Sequence, residues 1–348
     1  MTNKRPETSR WFQTGPSAPA ELAAATPSRR LARSLSRRQF LQAVLASSLA
    51  SAARPSRAAP AAGQVGSPSA GLQPYQDRPQ IWVRWNNRIL LCYRAHPTQK
   101  FPYVYPLAGP ITGLSLATET GLPWPHHRSL FFGCDRVNGG DYWAGDLSRG
   151  HIRSTGPRVG AATKDRVEIL DACEWRQPQG TVVMKDQRRV VVKVESDRVH
   201  CLDWEIVWTA VGDVRIHKTN HSLFAVRVAP DLAPDGGGQL VNAEGLSGEK
   251  ATFGKPSAWC ACFGKRQRLG GSIIEGIALM DHPSNPWAPC PWFTRDYGFI
   301  SPTPLNFIER PWELPAGKAV TLRYRVVLHA DQPQQAGLPQ LYKAWTTS

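Results

Sequence analysis

Arg189-Val190-Val191-Val192-Lys193-Val194-Glu195, the pair Asp197-Arg198, and Cys201-Leu202-Asp203-Trp204-Glu205-Ile206-Val207-Trp208 decide the fold class. Val, Ile and Trp fit a pleated surface, and the second run alternates apolar with acidic residues at a period of two. The polar pair between them reads as a turn, and Asp186-Gln187 reads as another turn before the first run. Working outward, Ile81 to Trp85 and Arg88 to Tyr93 read as two strands around a tight Asn86-Asn87 turn. Ile273 to Met280 is an apolar strand. Val320 to Leu328 alternates cleanly, which puts Arg323 and Arg325 on a wet face. Thirty prolines and 29 glycines spread along the chain suit many turns and few long helices. Leu338 to Trp345 is the best helical segment, and no fixed-period repeat is visible. The simplest architecture is all-β: a large two-sheet antiparallel sandwich with a short C-terminal helix.

The first part of the chain reads differently. Ser36-Arg37-Arg38-Gln39-Phe40-Leu41 has the form of a twin-arginine export signal, followed by an Ala/Ser/Leu run to Ala53 and small-residue cleavage sites. Residues 1–59 are therefore expected to be a leader, residues 60–79 a disordered Ala/Pro/Gly/Ser linker, and residues 80–348 a single β-sandwich domain. The expected partner during export is the twin-arginine translocase, and the expected location is the periplasm or the exterior, with no membrane anchor after processing. The formal charge is +15, but residues 1–62 carry ten Lys and Arg against two acidic residues, leaving +7 on the remainder. That balance, without basic runs interleaved with aromatics, argues against nucleic acid. The seven cysteines are odd in number and show no C-x-x-C pair, only Cys260-Ala261-Cys262. One or two disulfides are compatible with an exported protein.

Four segments carry chemistry. Trp124-Pro125-His126-His127-Arg128 precedes an apolar run and the turn ending Asp141-Tyr142-Trp143. Asn220-His221 follows a strand-like run. Asp281-His282, with Asn285 just beyond, closes the Ile273–Met280 strand. Trp292-Phe293-Thr294-Arg295-Asp296-Tyr297 joins aromatics to a cation and a carboxylate. Each lies at the edge of an expected strand, where a sandwich can gather distant residues. Flat aromatics with Arg, Asn, Asp and His suit sugar recognition, by stacking on the ring and by bidentate hydrogen bonds. An Asp beside a His suits orientation of an imidazole for proton transfer. The histidines also suit a metal, although no H-x-H or H-E-x-x-H spacing occurs, so the sequence names neither metal nor cofactor.

Phe101-Pro102-Tyr103-Val104-Tyr105-Pro106-Leu107, Pro125 to Phe132, Val137 to Trp143, Gly276 to Pro286, Trp292 to Gly298 and Pro315 to Lys318 resemble, in order and spacing, bacterial "PmoA family" proteins, which are labelled methane oxygenases. That label implies a metal-dependent oxygenase. The family usually places Asp-His before Pro-His-His-Arg; here those positions read Pro123-Trp124. Thr219-Asn220-His221-Ser222-Leu223-Phe224 is also similar to the Asn-His-Ser-aromatic-Phe motif of aldose 1-epimerases. This resemblance implies a galactose mutarotase-like β-supersandwich and a histidine acting as acid toward a sugar ring oxygen. The epimerase glutamate base has no counterpart, since Glu309 and Glu313 stand in another context.

These readings converge on an exported protein that acts on or binds carbohydrate or another small ligand. If it is an enzyme, His126, His127, His221, Asp281 and His282 are the expected catalytic set, with Asp281 orienting His282. Arg128, Asn220, Asn285, Arg295, Asp296, Trp143 and Trp292 are the expected substrate-binding set. A non-catalytic carbohydrate-binding or envelope module and a metal oxygenase are the alternatives.

Overall fold

The structure, a computed structural model, describes residues 70–347. The expected export leader and the first half of the expected linker lie outside these residues. Asn86 and Asn87 both adopt left-handed backbone (φ +47° and +63°), the tight-hairpin conformation their side chains tolerate. That turn joins two strands of an eight-stranded antiparallel sheet. In spatial order its strands are Leu72–Asp77, Gln80–Trp85, Arg88–Arg94, Tyr103–Leu107, Leu130–Cys134, Ser222–Arg227, Phe299–Pro302 and Trp292–Arg295. The second sheet runs Gln239–Asn242, Trp259–Arg268, Gly271–Asp281, Ala319–Ala330, Val199–Ala210, Val182–Ser196, Arg166–Arg176 and His151–Ser154, with Arg158–Ala162 also paired to Arg166–Arg176. The all-β, two-sheet reading therefore holds, as does the C-terminal helix, Leu338–Thr346.

Period-two alternation decides what fills the space between the sheets. Phe132 lies edge-on to Trp175 and Trp208 of the nine-stranded sheet, and Phe224 stacks on Tyr324 at 4.5 Å. Cys260 and Cys262 face this core together, while Ala261 faces the C-terminal helix. All seven cysteines are buried and free. Trp345 and Leu338 of the helix close a second apolar cluster on the outer face of the nine-stranded sheet. Among the described residues no helix is long and apolar enough to cross a membrane.

Three local expectations are corrected. Leu72–Asp77 lies within the expected linker but forms an edge strand in full register with Gln80–Trp85. Leu72 is buried, and its amide donates to the Lys164 carbonyl, so tertiary partners supply what the composition lacked. Asp186-Gln187 is not a turn but the middle of the 15-residue strand Val182–Ser196. Asp186 points into the core, where Arg188 meets it through two hydrogen bonds (2.7 and 3.1 Å) and the Trp175 indole donates at 2.7 Å. Arg325 is not on a wet face. The C-terminal helix covers it, its guanidinium pairs with Asp203, and Trp345 lies 5.2 Å away.

Candidate functional site

The cleft that gathers the histidines follows from the register of two neighbouring strands. Leu130–Cys134 and Ser222–Arg227 pair antiparallel with Cys134 opposite Ser222, so Asp135 and His221 emerge side by side. The Asp135 amide donates to the His221 carbonyl at 3.0 Å, and Asp135 Oδ2 lies 3.1 Å from His221 Nδ1. A carboxylate only accepts, so Nδ1 carries the proton and Nε2 is left for other partners. The chain then returns: the Tyr142 amide donates to the Cys134 carbonyl, and Asp141 Oδ1 accepts from the Trp143 and Ala144 amides. This turn lays the Trp143 ring parallel to the His221 ring at 5.8 Å.

Phe131 alternates with Phe132 and so faces away from the nine-stranded sheet, where it stacks on Phe101 and meets Trp143. The cleft is thus built on the outer face of the eight-stranded sheet. Ser129, left-handed at φ +52°, turns the chain out of the Leu130–Cys134 strand into the loop carrying His126 and His127. That loop is closed by the His127 amide donating to the Trp124 carbonyl and by Arg227 Nη2 donating to the Leu122 carbonyl. Arg227 also covers the Tyr297 ring at 4.4 Å.

The result is a cleft of about 180 Å³ lined by Trp124, His126, His127, Trp143, Asn220, His221, Phe293, Arg295, Tyr297 and Phe299. His126 stands 6.0 Å from His221 and 4.5 Å from His127, ring centre to ring centre. Burial, then the neighbouring His221, holds His126 below the ordinary histidine range. Burial, with His126 and Arg227 adding, drives His127 down to about 2. Both imidazoles are therefore neutral at physiological pH. His126 Nε2 and His127 Nδ1 find no hydrogen-bond partner among the described residues. A second chamber of about 380 Å³ adjoins the first through shared His126 and Trp143, and Lys100 and Arg128 line it.

Of the expected residues, the structure brings together His126, His127, His221, Asn220, Trp143 and Arg295, with Arg128 in the adjoining chamber. The others lie elsewhere. Asp281 ends a strand of the other sheet, and its carboxylate accepts from Asn285 Nδ2 at 2.7 Å; no hydrogen bond joins it to His282. Burial raises the Asp281 carboxyl to about 7. Asn285 is consumed within the fold, bonding the backbone of Arg323 through both ends of its amide. His282 meets Ser284 and the edge of Trp345, so the expected Asp281–His282 dyad does not form. Trp292 is core, its indole donating to the Ser257 carbonyl. Asp296 accepts from the Glu249 amide at the start of the short helix Glu249–Thr252. Arg295 pairs with Glu249 and stacks on Phe293 and Phe253.

Asp135 is the residue missed in the sequence. Its only sequence signal is a carboxylate directly after an apolar strand; cross-strand register gives it meaning. Among the described residues, no group of three or more His, Cys, Asp or Glu is arranged to hold a metal ion.

Fold and cleft define a two-sheet antiparallel β protein with a surface cleft walled by aromatics and histidines. The chain belongs to the family of unknown function DUF6807, which matches residues 80–343. The "PmoA" label is not the family shown. No curated protein matches the chain. Among the solved structures that overlap it are two from lactobacilli. A galactose mutarotase related enzyme from Lactobacillus acidophilus does so at 9% identity, over 74% of this chain and 97% of its own, with TM-score 0.29. Galactose 1-epimerase from Lactobacillus acidophilus NCFM does so at 8% identity, over 76% of this chain and 99% of its own, with TM-score 0.34. The two-sheet architecture accordingly rests on this chain's own strand pairing.

Proposed function

We propose that this protein, after twin-arginine export, binds a saccharide in the cleft between Trp124 and Tyr297 and moves a proton on it with His221, which Trp143 supports from beneath. One observation carries the reading: an imidazole held by Asp135 and a neutral imidazole, His126, meet edge to face 6.0 Å apart in a cleft walled by aromatics. Aromatic faces take the CH surface of a sugar ring, and Asn220 and Arg295 offer donors to its hydroxyls. Asp135 fixes the tautomer of His221, so Nε2 accepts a proton when neutral and delivers one when charged. His126, held neutral by burial, adds no charge to the cleft and presents its imidazole edge beside the bound ring. Opening or closing a hemiacetal needs a proton delivered to the ring oxygen and one taken from the anomeric hydroxyl, and His221 Nε2 can do the first in its charged form and the second in its neutral form.

A panel of mono- and disaccharides, oxidised sugars included, screened by calorimetry and by NMR for turnover tests this. His221→Ala should lower kcat by about 10²–10⁴-fold and leave Kd nearly unchanged. Equal loss of binding and turnover, or binding with no turnover in the unaltered protein, overturns the catalytic part. Binding of no saccharide overturns all of it. The export part is tested by fractionating cells that express Arg37→Lys/Arg38→Lys: retention in the cytoplasm supports it, and unchanged export refutes it.

A further inference from the structure

The second chamber is marked by its charge. Two cations line it, Lys100 and Arg128, and no Asp or Glu lines either chamber. Arg128 forms no ion pair among the described residues; its guanidinium lies 5.9 Å from the Tyr103 ring. Lys100 is buried to 7% exposure and reaches only the Asp146 carbonyl. Two carboxylates act on Lys100 from a distance and neither hydrogen-bonds to it: Asp141 is held by two backbone amides and Arg149, and Asp146 accepts from the amide and hydroxyl of Ser148. The basic groove on the outer face of the nine-stranded sheet is different. There Arg323 pairs with Glu205, Lys193 with Asp203 and Arg189 with Glu168. A buried ammonium and a half-buried guanidinium with no carboxylate in direct contact are favourable partners for an anion that enters the chamber.

We infer that the saccharide is acidic: a uronic-acid residue whose carboxylate enters the second chamber against Arg128 and Lys100 while its ring, or the neighbouring ring, lies on the exposed Trp124 beside His126. The planar guanidinium matches a carboxylate in two parallel hydrogen bonds, and the ammonium adds a point charge behind it. The inference rests on the saccharide reading above and gives it a substrate class.

Calorimetry of the mature protein with galacturonate and glucuronate oligosaccharides, their neutral parent oligosaccharides, and a sugar sulfate tests it. Uronides should bind at least about tenfold tighter than neutral parents, the worth of one charge-assisted hydrogen bond. In Arg128→Gln that preference should collapse, and added salt should weaken uronide binding alone. Circular dichroism establishes that the variant is folded, and the salt series in the unaltered protein gives a second readout that needs no variant. Equal affinity for acidic and neutral sugars, or a preference unchanged in Arg128→Gln, overturns the inference and leaves the saccharide reading standing. Preference for the sulfate with indifference to uronides overturns the carboxylate assignment. Binding of no saccharide of either charge overturns both.

Discussion

Acidification should destabilise this protein through His127 by an amount that can be worked out. The side chain is 4% exposed, packed 4.4 Å from Phe299 and 6.3 Å from Tyr297, and its Nδ1 has no partner. Its folded pKa is lowered from 6.5 to about 2. A lowered histidine binds fewer protons folded than unfolded, so its contribution is intact above pH 6.5 and is lost progressively as pH falls toward 2. At pH 4.5 the unfolded chain gains about two pH units of proton binding that the folded chain lacks, about 3 kcal/mol. His200 and His329, buried and lowered to about 4, act in the same direction. Urea unfolding at pH 7.5 and 4.5 of the unaltered protein and of His127→Phe reads the effect. The phenyl ring can cost stability by crowding, but it does so equally at both pH values. The variant should lose about 3 kcal/mol less between the two pH values than the unaltered protein. Equal losses would show that His127 accepts a proton in the folded state, and the neutral-imidazole account of the cleft would fail.

Other consequences follow from particular contacts. Arg188→Met strands Asp186, a fully buried carboxylate, and should cost about 3–5 kcal/mol, roughly 6–20 °C in Tm; Asp186→Leu/Arg188→Met should recover most of it, and a double variant no better than the single would refute the pairing. Asp281, raised to about 7, binds its proton more tightly folded than unfolded, so its contribution is present at low pH and lost as pH rises through 7. Asp281→Asn should therefore gain about 4 kcal/mol relative to the unaltered protein on going from pH 4 to pH 8, and a pH-independent difference in urea midpoints would contradict this. Asp135→Asn removes the charge behind His221. It should lower kcat by about ten- to 150-fold, the worth of a charge-assisted hydrogen bond, with little change in KM; a KM effect alone would make Asp135 merely structural.

The fold was legible where local chemistry and tertiary packing agree. Asn86-Asn87 and Asp197-Arg198 are turns because polar residues interrupt alternating strands, and both hairpins form. Asp186-Gln187 carried the same signal and misled, because Arg188 two residues on makes a buried carboxylate tolerable inside a strand. Leu72–Asp77 was hidden because its pairing partner, not its composition, orders it. The site was half legible. His126-His127, Asn220-His221, Trp143 and Arg295 were visible as residue types and do converge, because their strands are neighbours in one sheet. Asp281-His282 had the same local form but ends a strand of the opposite sheet. Asp135 had no local form at all, and only the Cys134–Ser222 register pairs it with His221.

The most direct test is a long-range ¹H–¹⁵N spectrum of the histidine side chains during titration with the saccharide that binds tightest in the panel. The account predicts that the His126 and His221 ring nitrogens shift together and saturate at one ligand per chain, while His282 stays still. Movement of His282 without His126 and His221, or a panel in which no saccharide moves either ring, would contradict it.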